Sequence, residues 1–260
     1  MIANGFLRKL RILFLLFILF LVAGNAWLTK VRATDWDRPL RVVIYPINGD
    51  GIVETSAFIE SLQKATFEPI EQFLKREAER YGLALNRPVA FYLAPEVHTI
   101  PPKAPGNGNV LKVMWWSLKM RYWAYGASAY DGPAPNIEIF VVYYDPLRHE
   151  RLDHSLGLEK GLIGVVNAYT GEALAARNNV IIAHELLHTL GATDKYDLSD
   201  NQPLYPDGYA EPDRRPLFPQ RKAEIMAGRI PLSSDRAVMP ESLKQALIGD
   251  KTSREINWID

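Results

Sequence analysis

The run His184-Glu185-Leu186-Leu187-His188 constrains the fold more than any other stretch of this chain. Residues four apart on a helix lie on one face, one turn apart, so both imidazoles can reach a single metal ion at about 2.0–2.1 Å each. That geometry exists only on a helix, and the surrounding pattern predicts one over residues 179–190. Ala183, Leu186, Leu187 and Leu190 supply its opposite, apolar stripe, and Asn178 or Asn179 is placed to cap its start. Glu185 sits one step round, where it can take a proton from a metal-bound water without displacing it. Gly191 follows three residues after the second histidine and can adopt the left-handed backbone that ends a helix. The chain would then turn back and carry Asp194 to the metal.

Zn2+ is the ion this donor set suits. No histidine follows His188, because the other three are His98, His149 and His154. The third ligand is therefore a downstream carboxylate, unless an upstream histidine folds back. Asp194 is the first choice, with Glu211 and Glu224 as alternatives, since a helix followed by a distant glutamate is the other common arrangement. Asp194 and Asp197 would equally suit an aspartate-capped turn, with calcium as its ion. The chain contains no cysteine, which excludes disulfide frameworks, thiol catalysis and cysteine-type zinc sites.

Strands are predicted at 41–47, 88–93, 137–144 and 161–169, separated by helical spacing at 54–81 and 110–125. With the helix at 179–190, this order gives an α/β sheet covered by helices. After Gly191 the character changes: residues 197–219 are rich in Pro, Asp, Gly and Tyr, and only 240–248 again reads as helical. Residues 36–260 form one expected domain, with an α/β half at 36–191 and an irregular half at 192–260. A cleft belongs between the halves.

Arg8, Lys9 and Arg11 precede an apolar run from Ile12 that extends to Leu28, with Trp27, Lys30 and Arg32 at its far end. Basic residues before an apolar segment mark an export signal, and the length approaches the ~20 residues that span a bilayer. Residues 1–35 therefore read as a signal-anchor, or as a signal peptide cleaved near Gly24-Asn25-Ala26. Either puts the body outside the cytoplasm, anchored or secreted. Of 30 basic side chains these three fall in the first 28 residues, which hold no acid, leaving 27 against 30 acidic ones. A mildly acidic body is not that of a nucleic-acid binder.

Read together, His184 to Asp194 spell HExxHxxGxxD, which resembles the extended zinc motif of the metzincin metallopeptidases in the variant with aspartate as last ligand. Ala223-Glu224-Ile225-Met226-Ala227-Gly228 looks like the methionine turn of that clan, and residues 188–197 are similar to the immune-inhibitor-A type of secreted bacterial peptidase. The resemblance implies a twisted sheet with covering helices and an irregular C-terminal subdomain. It implies His184, His188 and Asp194 on zinc, Glu185 as catalytic base, Met226 as a floor beneath the metal, and a peptide or protein substrate. It is close over 179–228 and extends over 41–169 only as an order of strands and helices. Two departures stand out: no clear edge strand between Pro146 and Lys160, and no evident propeptide. The alternative from another class is a zinc-containing pseudo-peptidase or peptide-binding module without catalysis. A third is hydrolysis of a non-peptide amide.

Other features are less specific. Met114, Trp115, Trp116, Tyr122, Trp123, Tyr125 and Tyr130 form an aromatic concentration, expected to pack a helix on the sheet, with a substrate or membrane-surface patch as the functional reading. Arg214, Arg215, Arg221 and Lys222 read as a solvated loop face. Tyr196, Tyr205 and Tyr209 are candidates to stabilise an oxyanion.

Overall fold

The computed structural model describes residues 11–18, 20, 24, 33–105, 110–159 and 161–260. Its centre is a five-stranded, mostly parallel sheet in a mixed α/β arrangement. The strands are β1 (Leu40–Asn48), β2 (Val89–Leu93), β3 (Ile137–Tyr144), β4 (Leu156–Leu158) and β5 (Ile163–Tyr169), in the order β2-β1-β3-β5-β4. All neighbours run parallel except β4, which pairs antiparallel with β5 at the edge.

β1 is apolar almost throughout because both of its faces are covered. Val42 and Ile44 enter one core, Val43, Tyr45 and Ile47 the other. Pro46 is tolerated in this central strand for a local reason. Its side of the ladder faces β2, which has already ended: the last β1–β2 partners are Ile44 and Leu93, and the Pro46 carbonyl accepts instead from the Val97 N–H at 2.8 Å.

The larger core holds α1 (Val53–Ser61), α2 (Glu68–Arg80) and α4 (Glu172–Thr189), together with Ile225, Met226, Leu243 and Ile248 of the C-terminal half. On the other face α3 (Val110–Ala127) buries Met120, Ala124 and Ala127 against Tyr45 and Phe140.

Three sequence expectations are corrected. The segment 54–81 is two helices joined by a 3-10 turn at Lys64–Phe67, because Pro69 at the start of α2 cannot continue a preceding helix. The helix that carries His184 and His188 begins at Glu172, so neither asparagine caps it. Both lie inside α4 and are buried: Asn178 Nδ2 donates to the Tyr169 carbonyl at 2.8 Å, and Asn179 Nδ2 to that of Thr66 at 2.8 Å. Residues 240–248 are not a helix but a 3-10 turn (Leu243–Gln245) and a bridge strand, β9 (Ala246–Leu247), paired with β6 (Ala223–Glu224). The apolar residues there follow the buried positions Leu243, Ala246 and Ile248 instead of a helical face. The last helix is α5 (Asp250–Glu255), and a short antiparallel pair, β7 (Ile230–Pro231) with β8 (Ala237–Val238), completes this half.

The expected spanning or signal segment lies mostly outside the described residues. Residues 12–18 and 20 are helical with exposed side chains. Among the described residues, no helix is long and apolar enough to cross a membrane.

Candidate metal centre

α4 is fixed from below by Ala183, Leu186, Leu187 and Leu190, all buried, so its opposite face carries His184 and His188. Their rings meet edge to face with centroids 4.6 Å apart. His184 Nδ1 lies 2.9 Å from the Ile225 carbonyl, and His188 Nδ1 lies 2.8 Å from that of Ala192. A carbonyl only accepts, so both Nδ1 atoms carry hydrogen and donate, which leaves both Nε2 lone pairs facing outward.

The helix ends where Gly191 takes a φ of 104°. The chain then returns, and Asp194 Oδ1 stands 3.2 Å from His184 Nε2 and 3.1 Å from His188 Nε2. The three potential ligand atoms lie within 4.8 Å of one another. Without a cation or an added proton, three acceptors would face each other, so this donor set fits a divalent metal. In the metal-free protein, burial opposes charging His184, but Asp194, Glu185 and the Ile225 carbonyl outweigh it and raise its pKa. Asp194 shows the reverse balance: burial is overcome by the two histidines, and its carboxyl is held well below the usual range.

Glu185 is 6% exposed, and its Oε2 has no hydrogen-bond partner among the described residues. Burial pushes its pKa up, with Asp194 adding to the effect while His184, His188 and the Gly157 amide oppose it. A buried carboxylate oxygen with no partner is rare in folded proteins and is a feature of functional sites.

The alternative ligands do not join this cluster. Both Glu224 oxygens are engaged: Oε2 accepts from the Met226 and Ala227 amides at 2.7 and 3.0 Å, and Oε1 accepts from the Gly249 amide at 3.0 Å and the Thr252 hydroxyl at 2.7 Å. Glu224 thus holds the turn that carries Met226, itself fully buried in the core under α4. Glu211 accepts from the Arg221 amide at 3.2 Å in a separate loop. Asp197 accepts from the Ser199 amide and hydroxyl at 2.8 and 2.7 Å, a turn-capping role. No second cluster of metal-ligating side chains assembles among the described residues.

Of the tyrosines, only Tyr196 reaches the centre. It hydrogen-bonds to Asp194, and burial with the nearby Asp194 and Glu185 charges pushes its pKa up to about 12. Tyr205 and Tyr209 instead meet edge to face at 5.4 Å. His98 is exposed beside Glu96, while His149 and His154 line a cavity on the Glu185 side. That cavity has a volume of about 650 Å³; a smaller one of about 150 Å³ lies on the His184 side, lined by Val180, Tyr196, Ile225 and Arg229. Ile181 and Met239 border both cavities.

Two elements escaped sequence reasoning. The first is β4, only three residues long and containing Gly157, too short for a periodic signal. It runs against α4 so closely that only glycine fits: a Cβ on Gly157 would come within 2.4 Å of His188 Cβ. The second is a buried brace. Lys195, 2% exposed, donates to Glu255 Oε2 at 2.7 Å and to the Thr193 carbonyl at 2.7 Å. Glu255 in turn accepts from the Thr193 amide at 2.9 Å and hydroxyl at 2.6 Å, fixing the residue before Asp194.

No known protein-family model matches this chain, and no curated protein is similar to it.

Proposed function

We propose that this chain is a zinc-dependent peptidase with a metzincin-like catalytic domain. The observation that carries the reading is the buried Glu185 carboxylate, whose Oε2 has no hydrogen-bond partner among the described residues, beside the converging His184, His188 and Asp194. A purely structural metal site has no use for a free base at its side. The antiparallel edge strand β4 adds support, because its Gly157 lies against Glu185 and an edge strand suits an extended peptide added as a further strand.

His184, His188 and Asp194 would hold the ion, which when bound supplies a Lewis acid that acidifies water and polarises the scissile carbonyl. Glu185, its basicity raised by burial, takes the proton as the water oxygen bonds to the carbonyl carbon. As the C–N bond breaks, it delivers that proton to the leaving amine. Tyr196 keeps its own proton at neutral pH and can donate a hydrogen bond to the developing oxyanion. The basic residues before the apolar run support a site of action outside the cytoplasm, on an anchored or secreted chain.

The test separates catalysis from binding. Glu185→Gln should keep about one zinc per chain while cleavage of a broad peptide library falls by ~10²–10⁴-fold. Wild-type protein that binds zinc yet cuts nothing, with Glu185→Gln indistinguishable from it, would establish the peptide-binding module instead.

A further inference from the structure

α3 is apolar on two sides. Met120, Ala124 and Ala127 face the sheet, yet Leu111, Met114, Trp115, Leu118, Tyr122 and Tyr125 are between 55% and 85% exposed. At 100° per residue these six fall within an arc of about 100°, almost diametrically opposite the buried side. The exposed stripe is therefore one continuous face, not scattered surface residues.

Its margins are equally ordered. Lys119 and Lys112 flank the stripe on one side and Arg121 on the other, all exposed, and the 18-residue helix contains no acidic side chain. This concentration of positive charge runs against the acidic balance of the body. Tryptophan and tyrosine over an apolar strip, edged by long cations, is the make-up of a helix lying in the lipid interface. The occupant follows from the charges. A second copy packed stripe to stripe would bring two cationic rims together, and neither helix carries an acid. The apolar leader brings Arg8, Lys9 and Arg11 and also no acid.

We propose that α3 is a membrane-contact surface that lies on an anionic lipid leaflet through this stripe, with Lys112, Lys119 and Arg121 meeting the headgroups. It stands independently of the peptidase reading, and it turns a fixed face of the α/β body toward the bilayer.

The chain has no cysteine, so single labels are clean. Leu118→Cys and Tyr122→Cys in the full-length chain, each carrying an environment-sensitive fluorophore, are compared with Leu147→Cys and Leu198→Cys, which are 94% and 80% exposed elsewhere. Vesicles of phosphatidylglycerol and phosphatidylcholine, with and without nitroxide-bearing acyl chains, are the probe. The α3 labels should shift to the blue, lose most of their emission to the nitroxide lipid and resist aqueous iodide, while the control labels stay open to iodide. The effect should weaken in phosphatidylcholine alone. Equal iodide access at all four positions overturns the proposal. So does shielding of the α3 labels without nitroxide quenching, which would mean that protein covers the stripe.

Discussion

Replacing Gly157 with alanine is a small change with a large expected effect on chemistry. The added Cβ would sit 2.4 Å from His188 Cβ, 2.6 Å from the Glu185 carbonyl oxygen and 3.3 Å from Glu185 Oε2. Ordinary carbon contacts lie at about 3.5–4.0 Å, so one partner must retreat by about 1–1.5 Å. α4 is locked into the core by Ala183, Leu186 and Leu187, whereas β4 is a three-residue edge strand held by β5. The strand therefore moves. Overpacking of this kind destabilises by about 1–3 kcal/mol, a fall in Tm of roughly 2–12 °C for a chain of this size. On the proposed reading, in which β4 aligns the substrate, displacing it by about an ångström should lower kcat/KM by about 10²-fold. Zinc stoichiometry should not change, because His184, His188 and Asp194 are not on β4. Thermal melts, metal analysis and peptide cleavage on the same sample give all three readouts. Wild-type cleavage and Tm in Gly157→Ala would refute the close approach of β4 to the helix; loss of zinc at unchanged Tm would refute the division of roles.

The brace behind Asp194 should matter through the metal. Lys195→Ala removes the cation that bridges Glu255 and the Thr193 carbonyl beside Asp194, and zinc affinity measured by competition with a chelator should fall, by up to about 10–100-fold if the brace positions Asp194 as an outer partner positions a metal ligand. Unchanged affinity would make the pair a stability feature only. In the smaller cavity, Arg229 lies beside His184 and Tyr196. Arg229→Glu should shift cleavage of a peptide library away from acidic side chains near the scissile bond; an identical preference in both proteins would place that side chain outside substrate contact.

The central helix was legible because its signal is local: two histidines four apart, an apolar stripe behind them and a glycine at the end. Asp194 was legible for the same reason, lying within one turn of chain beyond Gly191. The strands at 137–144 and near 41–47 announced themselves as continuous β-branched and aromatic runs, buried on both faces. What stayed hidden depends on partners distant in sequence. Glu224 looked like a ligand because a lone glutamate carries no mark of the four donors that surround it, two of which come from Gly249 and Thr252. Lys195 and Glu255 are 60 residues apart, and neither spacing nor composition links them. The aromatic run at 114–125 has helical periodicity on both faces, and only the packed structure separates the buried side from the exposed one.

The protonation state of the centre gives the sharpest check on whether it is built for a metal. Both Nδ1 atoms are committed to backbone carbonyls, so any further proton on the pair must sit on Nε2, between the histidines and Asp194. In the metal-free protein that proton is favoured, and the pKa of His184 is raised. A raised folded-state pKa contributes stability that is fully present below the unfolded value near 6.5 and fades as pH rises through the folded one. Metal requires the opposite state, because zinc and the proton compete for the same lone pair. The two forms should therefore respond to pH in opposite directions: the metal-free protein loses this contribution on going alkaline, while the zinc form loses its added stability on going acid. Calorimetric titration with zinc in buffers of different ionisation enthalpy should show proton release, growing as pH falls toward and below the His184 pKa. A His184→Ala variant should lose both the tight site and the release. Zinc binding with no proton release at any pH near neutrality would mean that the Nε2 atoms were not protonated to begin with, and that Asp194 meets them by some other arrangement.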